Sequence, residues 1–137
     1  METILVVDDE KDMLNLLKRT LEPDLNCEVI TAETGHIALE ILESTSVDLV
    51  LADIKMPGMD GAELFHQIKT IKPRLPVTII TGYPDSEIMA RALAQGPFGV
   101  MEKPFGEADI VSAVTSFLGI THPEHKINSQ QQELEAS

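Results

Sequence analysis

Asp48-Leu49-Val50-Leu51-Ala52-Asp53-Ile54-Lys55-Met56-Pro57-Gly58-Met59-Asp60-Gly61 is the stretch whose reading settles the fold class. Asp48 to Ala52 is short, apolar and rich in branched residues, which reads as a strand buried on both faces. Asp53 ends it, Pro57, Gly58 and Gly61 mark a turn-rich loop, and Leu64, Phe65, Ile68 and Ile71 follow at the spacing of a helix packed by one face. The same unit recurs on either side. Further strands are expected at Ile4 to Val7, Cys27 to Thr31, Val77 to Thr81 and, more weakly, Gly99 to Met101. Between them lie the stripes Met13, Leu14, Leu17, Leu21 and Ile37, Ala38, Ile41, Leu42, an Ala-rich, weakly amphipathic segment over Ser86 to Ala94, and a clear stripe of Ile110, Val114, Phe117 and Leu118 within Glu107 to Leu118. Pro23, Gly35, Pro73, Pro76 and Gly96 mark the remaining breaks. Strand alternating with helix predicts a doubly wound α/β domain, about five parallel strands with five helices on both faces, joined by right-handed crossovers.

Composition narrows the function. The chain has 137 residues, 10 Lys+Arg against 23 Asp+Glu, and a formal net charge of −13. One domain is expected, since ~100–200 residues per domain is usual. Phosphate-backbone binding needs clustered Lys and Arg, so direct nucleic-acid binding is not expected, and cations and basic partner surfaces are. The lone Cys27 forms no intrachain disulfide, and the start lacks the basic-then-apolar order of a signal peptide. No apolar run approaches the ~18 residues that span a bilayer, so the expectation is a cytoplasmic protein without membrane association. After Gly119 the chain turns polar and Gln-rich, which divides it into a domain over 1–119 and a tail or linker stump over 120–137.

In open parallel α/β sheets ligands bind beyond the carboxyl ends of the strands. There the sequence delivers Asp8, Asp9 and Glu10 after the first strand, Asp53 after the third, Thr81 at the end of the fourth, and Lys103 shortly after the fifth. Asp8 or Asp9 alone could cap the helix starting near Lys11. As a group the acids ask for more, because like charges ~5 Å apart at an effective dielectric near 20 repel by ~3 kcal/mol per pair. A cation resolves this. Lys103 supplies one charge, and an all-oxygen site suits Mg²⁺ better than Zn²⁺. Mg²⁺ usually completes its shell with a phosphate oxygen, which points to phosphoryl transfer. One carboxylate attacks phosphorus as the nucleophile, and metal, ammonium and hydroxyl stabilise the equatorial oxygens. Asp53, at the end of a buried strand before an open loop, is the best nucleophile candidate.

Four motifs, in this order and at these separations, resemble the receiver domain of two-component response regulators. They are Ile-Leu-Val-Val-Asp-Asp-Glu at 4–10, Asp-Leu-Val-Leu-Ala-Asp-Ile-Lys-Met-Pro-Gly-Met-Asp-Gly at 48–61, Ile-Ile-Thr-Gly at 79–82 and Glu-Lys-Pro-Phe at 102–105. The resemblance runs from about Thr3 to Leu118 and implies a flavodoxin-like receiver fold of strand order 2-1-3-4-5. It implies that Asp53 is phosphorylated by a phosphohistidine on a sensor histidine kinase or histidine phosphotransfer protein, and that Asp8, Asp9, Asp53 and the main-chain carbonyl of Lys55 bind Mg²⁺. Thr81 matches the switch hydroxyl and Lys103 the lysine that contacts the phosphoryl group. By the same resemblance Lys55 and Tyr83 occupy two variable positions that tune the aspartyl-phosphate lifetime: either Lys55 pairs with the phosphoryl group and Tyr83 hinders the attacking water, or both side chains point into solvent.

One departure bears on the switch. The family often carries an aromatic three residues before its lysine, and this chain has Val100 there with Phe98 two positions away, so activation is expected to be read out differently. The implied protein is a phosphoacceptor that catalyses its own phosphorylation and dephosphorylation rather than an enzyme acting on other substrates. It signals to a downstream protein effector or an output domain beyond this chain, and a homodimer is a further candidate.

Three other readings compete with this one. A haloacid-dehalogenase-type phosphatase needs Asp-x-Asp, but Lys55 and Lys11 stand two after Asp53 and Asp9. A flavodoxin-like cofactor carrier needs free amides in a phosphate loop, where this chain puts Asp-Asp-Glu. The alternative that stays open is a phosphorylation-independent receiver-like interaction module, which should lack acceptor or acid-pair residues; Asp8, Asp9, Asp53, Thr81 and Lys103 are all present, and Val100 alone leans that way. Cys27 reads as core, His36 and His66 as surface, His122 and His125 as tail residues rather than a metal pair, Met56 and Met59 as packing beside Asp53, and Asp60 as the start of the third helix.

Overall fold

The computed structural model describes residues 1–121. Ten elements alternate: β1 (Thr3–Val7), α1 (Lys11–Leu25), β2 (Glu28–Ala32), α2 (Gly35–Ser44), β3 (Leu49–Asp53), α3 (Gly61–Ile71), β4 (Val77–Thr81), α4 (Glu87–Ala94), β5 (Gly99–Glu102) and α5 (Glu107–Thr121). The strands form one parallel sheet in the order β2-β1-β3-β4-β5. The doubly wound fold and its strand order are as expected.

Strand side chains alternate between faces, and that alternation divides the core in two. Ile4, Val6, Leu49, Leu51 and Ile80 pack against Leu14, Leu17 and Leu21 of α1 and Ile110, Val114 and Leu118 of α5. Leu5, Val7, Val50, Ala52 and Ile79 pack against Ala38 and Leu42 of α2, Leu64, Phe65 and Ile68 of α3, and Met89 and Ala92 of α4. All five residues of β3 are buried, because β1 and β4 flank it and helices cover both sides. This explains why its sequence is a continuous apolar run rather than an alternating one.

Several expectations need correction. Pro23 does not break α1 but lies inside its last turn; the missing N–H removes one ladder bond near the end, and the helix stops at Asn26 in the left-handed conformation. β2 and β3 each start one residue later than expected, so Cys27 precedes β2, and Asp53 belongs to β3 itself. Asp48 is occupied elsewhere, its amide donating to the Thr3 carbonyl (2.8 Å) and its carboxylate accepting from the Thr3 amide (2.8 Å). Ile37 and Ile71 leave their stripes and stand 41% and 51% exposed, being in the first turn of α2 and at the last residue of α3. Cys27 and Met56 are buried, Met59 packs against the core, and His36 and His66 are exposed, as expected. The expected boundary at Gly119 falls within α5, and the tail from His122 on, with His125, Ile127 and Leu134, lies outside the described residues. No described helix is long and apolar enough to cross a membrane.

Candidate functional site

Parallel register brings the carboxyl ends of four strands side by side, since Val7 pairs with Ala52, Asp53 with Ile80 and Thr81 with Glu102. Backbone bonds just past the strands carry the alignment on: Asp8 donates to Ala32 (3.1 Å), Ile54 to Ile80 (3.0 Å) and Lys103 to Thr81 (2.7 Å). Asp8, Asp9, Asp53, Thr81 and Lys103 therefore meet at one edge. The loop after Asp53 is closed by the Gly61 amide donating to the Ile54 carbonyl (2.8 Å). A Cβ at Gly61 would lie 2.6 Å from the Cα of Ile54, so the approach of α3 to this loop requires glycine.

Asp8 and Asp53 are buried and Asp9 is exposed, and one carboxylate oxygen from each lies within 4.8 Å of the others. Glu10 lines the cleft but stands outside this group. Neither Asp8 nor Asp9 caps α1: its N-cap is Glu10, without a side-chain cap bond, and Asp8 Oδ1 instead accepts from the Glu10 amide (2.9 Å). The half-buried Lys103 ammonium bridges two of the acids, at 3.4 Å from Asp8 and 3.6 Å from Asp53. Burial, and then the neighbouring Asp8 charge, push Asp53 up to about 6 against the pull of Lys103 and the Lys55 amide. Burial likewise raises Asp8, opposed by the Glu10 amide and by Lys103. For Lys103 burial alone would lower the pKa, and the charges of Asp53 and Asp8 more than reverse it. One ammonium thus sits among three carboxylates, leaving an excess of negative charge in an all-oxygen cluster. That donor set suits a small divalent cation such as Mg²⁺.

Thr81 is buried, and its Oγ1 accepts from the Tyr83 amide (2.8 Å). Lys55 and Tyr83 line the same cleft as Asp9, Asp53 and Lys103, with a volume of about 750 Å³. They do not simply extend into solvent: the Lys55 ammonium lies 4.4 Å from the centre of the Tyr83 ring. Sequence places both residues, 28 positions apart, beside the acceptor but carries no signal of this contact between them. Val100 is 39% exposed on β5 opposite Ile79, while the Phe98 ring meets Phe117 of α5 edge-on at 6.0 Å. Asp60 caps α3 by accepting from the Glu63 amide (2.9 Å) and also pairs with Arg91 of α4 (2.8 Å), a link with no signal in the sequence.

The family profile described as the response regulator receiver domain matches residues 4–115. The DNA-binding transcriptional regulator NtrC of Escherichia coli K12 is 42% identical over 110 residues, covering 80% of this chain and 23% of that protein. The chain therefore spans about a quarter of the length of that relative. Sporulation initiation phosphotransferase F of Bacillus subtilis 168 is 33% identical over 117 residues, covering 85% of this chain and 94% of that protein. The response regulator protein TrrA of Thermotoga maritima, solved in complex with Mg²⁺ and BeF, superposes with a TM-score of 0.74 at 33% identity, covering 86% of this chain and all of that one.

Proposed function

The chain belongs to the response regulator receiver domain family, a module of two-component signal transduction, and from that premise we propose that Asp53 is its phosphoacceptor in a Mg²⁺-dependent reaction. The observation that carries this is the Lys103 ammonium held 3.4 and 3.6 Å from Asp8 and Asp53 within a cluster of three carboxylates. A carboxylate oxygen of Asp53 attacks phosphorus, the P–N bond to the donor imidazole breaks, and the electron pair leaves with the imidazole nitrogen, which takes up a proton. Bound Mg²⁺ would supply charge neutralisation to the phosphoryl oxygens. Asp8, Asp9, Asp53 and the Lys55 carbonyl are the groups that would hold it. Lys103 neutralises a phosphoryl oxygen as a point charge, and the Thr81 hydroxyl donates to another, keeping the Tyr83 amide as its own donor. Hydrolysis of the acyl phosphate by water closes the cycle in the same site, so the protein catalyses both its own phosphorylation and its own dephosphorylation. Lys55 and Tyr83, at the mouth of the cleft, set the rate of that water attack.

The donor is a phosphohistidine on a sensor kinase or phosphotransfer protein. Gly82, exposed and small, leaves room for its approach. Phosphorylation then shifts the population of α4 and β5 arrangements through Thr81, with Val100 in place of a swinging aromatic. The receiver unit runs through the end of α5, with the residues after it as tail or linker, and the reader of the signal is a protein effector or an output domain beyond this chain. The net charge of −13 supports a basic protein surface as partner and disfavours direct nucleic-acid binding. A single, buried cysteine supports cytoplasmic action.

Intact mass after incubation with Mg²⁺ and acetyl phosphate tests the acceptor. The expected result is a gain of one phosphoryl group, lost with chelator and lost in Asp53→Asn. A gain that survives Asp53→Asn, or no gain with Mg²⁺ bound and a beryllofluoride mimic also failing, overturns the reading in favour of a phosphorylation-independent module.

A further inference from the structure

Lys55 stands out by what it does not pair with. It is exposed, two residues after Asp53, beside three carboxylates in a chain of net charge −13. A flexible ammonium there is drawn to the acids by Coulomb attraction. The ion pairs of the cluster nevertheless run through Lys103, and the Lys55 Nζ lies over the Tyr83 ring, 4.4 Å from its centre. Tyr83 is itself 56% exposed, with its backbone amide tied to Thr81 Oγ1 (2.8 Å) at the end of β4. Ammonium and ring thus clasp the loop after β3 to the loop after β4 across the mouth of the cleft.

We infer that Lys55 is a two-position cation and Tyr83 its resting place. With Asp53 unmodified, the ring's negative face holds the ammonium, Lys103 alone neutralises the acids, and their remaining charge stays open to a divalent cation. Once Asp53 carries a phosphoryl group, the added negative charge in the cleft competes with the ring, and Lys55 transfers to a phosphoryl oxygen. The second half rests on the acceptor role proposed for Asp53; the first does not. Tyr83 is in this sense a positioning residue that controls the availability of Lys55.

Nuclear magnetic resonance of the whole chain tests both positions. In the unmodified protein the Lys55 ε-methylene protons are expected to be shifted upfield by the ring current, to keep that shift in Tyr83→Phe and to lose it in Tyr83→Leu. A Mg²⁺ titration followed on the Asp8 and Asp9 amides should show affinity reduced about two- to fivefold in Tyr83→Leu, the ratio that ~0.5–1 kcal/mol for an exposed cation–π pair represents. The freed ammonium would then compete for the acids, so adding Lys55→Gln to Tyr83→Leu should restore the affinity, and Tyr83→Phe should leave it unchanged. With Mg²⁺ and beryllofluoride the upfield shift in wild type should vanish. Unshifted Lys55 protons in the unmodified protein, or equal Mg²⁺ affinity in wild type and Tyr83→Leu, would overturn the resting position. A shift that persists with beryllofluoride bound would overturn the transfer. Failure of the acceptor reading shows separately, as an intact mass that never gains a phosphoryl group.

Discussion

Asp53 is held where its own ionisation is unfavourable. In the folded chain burial and the Asp8 charge raise it to about 6, against 3.8 for an unperturbed carboxyl. Between those two values the native state keeps a proton that the unfolded chain has released, so stability falls as pH rises through that window. Above it the ionised group costs of the order of 1–3 kcal/mol. Asp53→Asn in chelator should therefore be more stable than wild type above about pH 6, with the gain shrinking to nothing as pH falls toward about 4. Urea midpoints measured across that range check it, and equal midpoints at pH 8 would refute it. The position of Asp53 was legible because an apolar run ending in a carboxylate and a Pro-Gly loop is a local pattern. The contact between Lys55 and Tyr83 was not, since it depends on where two separate loops come to rest.

α3 and α4 are joined through Asp60. One oxygen accepts from the Glu63 amide and caps α3, and the other pairs with Arg91 of α4. Burial would raise this carboxyl, and the Glu63 amide and Arg91 together hold it below the usual range. The cap is the stronger part, because Arg91 is well exposed and solvent screens the pair. Asp60→Ala is expected to cost ~1 kcal/mol in chemical unfolding, whereas Asp60→Asn keeps a capping oxygen and should cost well under half of that. If the two variants lose equal stability, the ion pair rather than the cap is what matters. Asp60 as the start of α3 could be read from its place before a helical stripe; its bond to α4 could not. Pro23 was misread for the converse reason. A proline looks like a break anywhere in a sequence, and only the nearness of a helix end decides whether it is tolerated.

Across the whole molecule, charge and topology act together. A parallel sheet gathers strand ends at one edge, and in this chain those ends carry acids, so folding concentrates part of the −13 charge in one place. A cation that binds only the folded state should stabilise it by about 1.4 kcal/mol at ten times its dissociation constant. Mg²⁺ should thus raise the unfolding midpoint more than sodium chloride of equal ionic strength, and Asp8→Asn should abolish the excess. Identical effects of the two salts would argue against a specific site. Element order, both faces of the core and the meeting of Asp8, Asp9, Asp53, Thr81 and Lys103 followed from period and topology. The exposure of Ile37 and Ile71 did not, because a stripe says which face is apolar but not how far the neighbouring layer extends.

β3, buried along its whole length between β1 and β4, has a consequence for the chemistry itself. A reactive group on a mobile loop must lose orientational freedom each time a donor arrives. Asp53 has surrendered most of that freedom in folding, so the encounter has mainly the donor left to orient. The proposed acceptor is thereby a fixed point of the molecule.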